Sequence, residues 1–140
     1  MKIYLFDQTR YFEEHLAFLK NKAVMEYDKI FLKTKTSSIE IDSSSKLESI
    51  SKVLFSYRIF PNYIMNYLTE WDYEERKMKI GNTIVQQIFL PPIPFLSQKI
   101  ICGARIKEII EESSSFGFSY ETLVGHVEKG LSTFTIEKQD

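Results

Sequence analysis

Between residues 82 and 137 the spacing of apolar side chains changes from about four to two. A period of two is the signature of a strand whose alternate residues face opposite sides of a sheet. Residues 82–90 set Ile84, Gln86, Ile88 and Leu90 against Thr83, Val85, Gln87 and Phe89. The "PPIP" of residues 91–94 lacks the amide donors a ladder needs and ends that strand. Residues 99–111 follow, with Ile100, Cys102, Ala104 and Ile106 on one face and Ile101, Gly103, Arg105, Lys107 and Ile109 on the other. Residues 115–122 put Phe116, Phe118 and Tyr120 on one face. Residues 130–138 do the same with Phe134 and Ile136. Consecutive strands joined by short turns dictate an antiparallel sheet.

The first half reads differently. Phe12, Leu16 and Leu19 fall at i, i+4 and i+7, which predicts a helix over about 10–21, capped by Asp7 or Thr9. Residues 27–34 read as a strand with Ile30 and Leu32 on one face. The serine-rich stretch after it is a loop or a short second strand around Ile39 and Ile41. A helix over about 46–56 follows, capped by Ser44 or Ser45, with Leu47, Ile50 and Leu54 on its apolar face. Pro61 suits a first helical position, and Ile64, Leu68 and Trp71 predict a third helix over 61–71. The charged run "EWDYEERKMK" reads as a solvated connection. Helices followed by strands give an α+β domain, and 140 residues suit a single one.

Composition bounds the function. Eighteen basic against nineteen acidic residues leave a net charge of −1, without the basic excess of a nucleic-acid surface. The lone Cys102 forms no intrachain disulfide, and two histidines argue against a histidine metal site. The apolar run "IYLF" is too short for a signal-peptide core, and no stretch approaches a membrane span. The expectation is a soluble cytoplasmic protein with no metal and no cofactor. No nucleophile elbow, phosphate loop or dinucleotide fingerprint is present.

The most distinctive stretch is "GFSYETLVGHVEKG", residues 117–130. Together with "GNTIVQQIFLPP" and "ARIKEIIEE" it resembles the DUF1990 family, through Gly117, Phe118, Ser119, Tyr120, Thr122, Leu123, Gly125, His126, Glu128, Gly130 and Phe134. The resemblance covers about residues 47–137. It implies a START-like (SRPBCC, helix-grip) fold, in which a curved antiparallel sheet packs on helices around a cavity for an apolar small molecule or lipid. On this reading residues 27–140 are the START-like region and residues 1–26 an added helical segment. The resemblance implies a further strand and a long C-terminal helix beyond "FTIE", where this sequence stops at "EKQD", as either a fragment or a shortened version. The last strand is then an exposed edge that invites a homodimer, and residues 10–21 are a candidate substitute cover.

Phe118, Tyr120, Thr122, His126, Glu128 and Arg105 are the candidate ligand-binding or motif residues, and none is assigned a catalytic role. Tyr120, Thr122, His126 and Glu128 fall close enough to form a polar cluster, in which a histidine beside a carboxylate is a general base near neutral pH. That would serve a small cyclase- or hydrolase-like enzyme using His126, Glu128 and Tyr120. The structural alternative is a hairpin whose Gly125 and Gly130 take unusual backbone angles while the polar side chains brace the loop. Arg105 either meets a ligand carboxylate or pairs with Glu121 across the ladder, and the second reading is preferred. The leading expectation is a non-enzymatic domain that binds a small apolar or amphipathic ligand, or a protein partner, through its sheet face, and a third role is a structural or dimerisation module.

Overall fold

The computed structural model describes residues 2–41, 47–93 and 96–138. Its centre is the long strand β4. In chain order the elements are β1 (Lys2–Tyr4), α1 (Phe12–Leu19), α2 (Leu47–Phe55), β2 (Met65–Thr69), α3 (Glu70–Tyr73), β3 (Thr83–Leu90), β4 (Gln98–Glu111), β5 (Ser115–Thr122) and β6 (Leu131–Glu137). The sheet is antiparallel throughout, in the order β2-β3-β4-β5-β6. β1 pairs with β4 at Lys99–Ile101, in line with β5, which takes over from Ala104 onward. The architecture is α+β, as expected, and the four long strands lie within a residue or so of their predicted limits.

Three expectations for residues 27–79 fail. Residues 27–34 form no strand; Asp28 instead accepts the amide of Ile30 and caps a single 3-10 turn at Lys29–Phe31. Ile30 there is 85% exposed, because no sheet edge is offered to it. Residues 61–71 are not one helix: Pro61 opens a turn, Met65–Thr69 is edge strand β2, and Thr69 then caps the one-turn α3. The charged run after it is not wholly solvated. Glu70 is buried, accepts the amide of Thr83 at 2.7 Å, and meets Lys20 at 3.3 Å. The proposed caps Ser44 and Ser45 lie outside the described residues.

Both faces of the sheet are covered. On one, Phe12, Leu16 and Leu19 of α1 pack on Val85, Ile101 and Leu123. Gly103 makes this approach possible: a Cβ there would stand 2.9 Å from Leu123 Cδ1 and 3.1 Å from Leu19 Cδ1. Gln87, fully buried on the same face, accepts the amide of Gln8 and donates to Asp7, each at 2.7 Å, which seats the chain entering α1.

On the other face, α2 and the residues after it pack on Ile84, Ala104, Ile106, Phe118 and Tyr120. A bulge between Ile106 and Glu108 inserts one extra residue in β4. It reverses the alternation, so Ile109 pairs with Phe118 and joins this aromatic face, not the mixed face that uninterrupted alternation predicts. α2 ends in a Schellman closure, with Arg58 N–H to Val53 O and Tyr57 N–H to Leu54 O. The left-handed position of that closure, φ 64°, is held by Tyr57 and not by glycine. Its ring is fully buried against Phe60, Tyr67, Phe118 and Tyr120. The burial offsets the roughly 1–3 kcal/mol that such a backbone costs a non-glycine residue.

Candidate functional site

The β5–β6 turn is built as a glycine-framed clasp. Gly125 and Gly130 have φ 93° and 143°, which other residues adopt only with strain. Thr122 Oγ1 accepts the amide of Gly130 at 3.0 Å, and the amide of Thr122 donates to the Gly130 carbonyl at 3.0 Å. The turn thereby hangs His126 over the end of the aromatic face. There the imidazole joins a buried polar chain. His126 Nδ1 accepts the Glu128 backbone amide at 2.9 Å, which leaves Nε2 to donate to Gln86 Oε1 at 2.7 Å. The other half of the Gln86 amide donates to the Tyr57 hydroxyl at 2.8 Å, and Tyr57 donates to Tyr120 at 3.3 Å. The Cys102 thiol also points at Gln86 Oε1, at 3.8 Å.

The environment sets the protonation of this chain. Burial lowers the His126 pKa, against a smaller opposing pull from Glu128. Burial also pushes Tyr57 and Tyr120 up, so both remain hydroxyl donors, and pushes the Cys102 thiol to about 12. Such a thiol is not a nucleophile near neutral pH. Glu128 meets His126 through its backbone, while its exposed side chain is turned to solvent. Both imidazole nitrogens are committed to bonds that hold the loop.

A pH dependence follows. The neutral imidazole is the native form, and the unfolded chain takes up a proton at the ordinary value of about 6.5. The stabilisation is therefore complete above pH 6.5 and is lost as pH falls from there through the lowered folded value. Denaturation midpoints should fall between pH 7.5 and 5. His126→Gln, which keeps a donor near Gln86 but cannot titrate, should flatten that slope. His15, also lowered by burial, contributes the same sign and leaves a residual slope. An unchanged slope in His126→Gln would remove His126 from the account.

The structure brings Phe118, Tyr120 and His126 to one face and sets Thr122 at the neck of the turn. Glu128 stays outside this cluster. Arg105 lies on the opposite face, directly across the β4–β5 ladder from Glu121 as expected, but the two side chains form no ion pair among the described residues. Its guanidinium donates to the carbonyls of Leu19, Lys20 and Lys22 at 3.0, 3.3 and 2.7 Å, closing the end of α1. A cation there also suits the negative end of the helix dipole. Glu121 is occupied by Tyr27 at 2.6 Å and Lys107 at 3.8 Å. Tyr57 and Gln86, the middle of the polar chain, are not marked by any local pattern.

The aromatic face is packed with the protein's own side chains: Tyr57 and Phe118 are both at 0% exposure. An open groove of about 390 Å³ lies along edge strand β2. Phe12, Phe60, Met65 and Tyr67 give it apolar walls, and Arg58, Asn62 and Asn66 a polar rim. Arg58 stands near enough to oppose the rise that burial gives the Tyr67 pKa. Among the described residues no carboxylate forms an ion pair with Arg58. No helix among the described residues is long and apolar enough to cross a membrane.

Comparison with known proteins gives one result. The family model described as "Domain of unknown function (DUF1990)" matches residues 35–140. No curated protein and no solved structure matches the chain.

Proposed function

Because the chain belongs to the DUF1990 family, whose description assigns no activity, its role is read from its own surfaces, and we propose a non-catalytic START-like domain that binds a small amphipathic acid. The β2-edge groove carries this reading. Its volume of about 390 Å³ lies within the usual range for small-ligand sites, and apolar walls with one guanidinium suit a hydrocarbon body with an anionic head. Phe60, Met65 and Tyr67 take the apolar part, and Arg58 takes the carboxylate. A six-stranded antiparallel sheet packed on helices is compatible with a START-like fold, with binding moved from the sheet face to its edge. The enzyme reading through His126, Glu128 and Tyr120 has less support, since Tyr120 is buried and both imidazole nitrogens are engaged.

Mass spectrometry of small molecules extracted from natively purified protein is expected to find a co-purifying acid. A fluorescent fatty acid should bind, and Arg58→Ala should weaken it about tenfold, the equivalent of about 1.4 kcal/mol. Absence of binding, or binding untouched by both Arg58→Ala and Tyr67→Ala, would sink the reading.

A further inference from the structure

The apolar side chains left exposed are not scattered evenly. One end of the sheet collects Leu5, Phe6, Tyr63, Leu90, Ile93 and Leu96. Leu90 closes β3 and pairs with Gln98 of β4, while on the other side of β4 Tyr4 of β1 pairs with Lys99. Leu5 and Phe6 therefore leave β1 at the end where the β3–β4 turn carries Ile93 and Leu96. Tyr63 joins them from the turn before β2, since the Phe89 amide donates to the carbonyl of its neighbour Ile64. Exposure in this rim runs from 44% at Leu90 to 80% at Phe6. Pro91 and Pro92 stiffen the turn, because their rings fix the backbone. Single exposed apolar residues are ordinary, but three adjoining loops that each present them mark a contact surface.

The charges carried by these segments have one sign. Residues 2–6, 58–66 and 88–101 contain Lys2, Arg58 and Lys99, and no Asp or Glu. Lys99 sits at the base of the rim, where its ammonium donates to the carbonyls of Leu5 at 3.3 Å and Ser97 at 2.9 Å. Lys2 stands about 10 Å further up β1. Arg58 is exposed beside the groove. Asp7, the residue after Phe6, is bonded back to Gln87 at 2.7 Å and Thr9 at 2.8 Å. Projecting apolar tips above a set of cations match a bilayer with anionic headgroups: the tips enter the acyl boundary while the cations stay among the headgroups. Tyr63 suits the level between, with its ring in apolar surroundings and its hydroxyl in water. We propose that this end of the sheet docks on an anionic bilayer surface, with Phe6 and Leu96 leading. The groove opens beside the rim, since Asn62 and Met65, which line it, flank Tyr63 in the chain. A docked chain holds that groove at the depth where an amphipathic acid resides in a bilayer. This last step rests on the groove reading; the docking does not.

The test is cosedimentation of the full chain with vesicles of phosphatidylcholine holding about 30% phosphatidylglycerol, and with vesicles of phosphatidylcholine alone. Binding to the anionic vesicles is expected, roughly tenfold stronger than to the neutral ones, and it should weaken as salt rises to about 0.5 M. Phe6→Glu and Leu96→Glu alter exposed side chains. Each should weaken binding roughly tenfold while the melting temperature stays near wild type. No binding to the anionic vesicles, equal binding to both kinds, or binding undiminished in both variants would overturn the proposal. So would a chain that self-associates without lipid, by sedimentation equilibrium, and becomes monomeric in both variants, because the rim is then a protein interface. Fluorescent fatty-acid binding from solution reports separately on the groove, and the two variants should leave it unchanged.

Discussion

Phe118→Ala should cost about 3–5 kcal/mol, the range for truncating a fully buried phenylalanine. Phe118 has no exposed surface, and its ring lies 5.5–6.5 Å from those of Phe55, Tyr57, Tyr120 and Phe134. Those neighbours belong to α2, to the closure after it, and to β5 and β6, so no single element can move to fill the void. For a domain whose total stability is of order 5–15 kcal/mol, the loss is a large fraction. Thermal unfolding should shift down by about 10–17 °C, with loss of near-UV circular dichroism from the surrounding tyrosines. A cost under about 1 kcal/mol would mean that this face collapses freely and is not the principal core.

The second large effect is expected at Gln86. Gln86→Leu preserves approximate volume but removes the group that meets His126, Tyr57 and Cys102 together. The half-buried imidazole Nε2–H loses its acceptor and the fully buried Tyr57 hydroxyl loses a donor. Each such loss costs about 1–3 kcal/mol. Urea denaturation at pH 7.5 should show a total of about 2–4 kcal/mol, and amide exchange should rise first in the turn from Leu123 to Gly130. Gln87→Leu, its neighbour on the opposite face, should instead loosen Asp7 and Gln8 at the start of α1. If Gln86→Leu were neutral, the polar chain would be replaceable by ordinary packing.

The contrast between what the sequence discloses and what it hides has physical causes. The strands from Thr83 to Glu137 are legible because prolines and glycines punctuate them and each has a neighbour in sequence to pair with. Residues 61–71 mislead because the separation of Ile64 from Leu68 satisfies both a period of two and a period of 3.6. Such a spacing names a face without naming the element. Ile30 and Leu32 alternate as a strand would, yet alternation is only half of a strand; the other half is a free edge to bond with. The bulge at Lys107 is a third case, since one inserted residue reverses every later assignment of faces.

The candidate site divides in the same way. His126, Tyr120 and Thr122 are legible because glycines at fixed offsets mark their turn. Their connections are not: Gln86 is 40 residues from His126, and Tyr57 is 63 from Tyr120. Arg105 was legible as a cation on the mixed face, but its partners are backbone carbonyls, which carry no residue identity to read.

Tyr57 bears on how the chain knows where to stop a helix. A glycine at that left-handed residue would end α2 by local instruction alone, in a peptide as readily as in the protein. Tyrosine gives no such instruction. Its backbone is tolerable only once its ring has found the sheet, so the end of α2 is specified by strands that lie up to 63 residues further along. The boundary of a local element is thereby a long-range fact. Cut from its sheet, the segment Leu47–Phe60 should fray at its end or wind past Tyr57, and only the assembled domain supplies the punctuation.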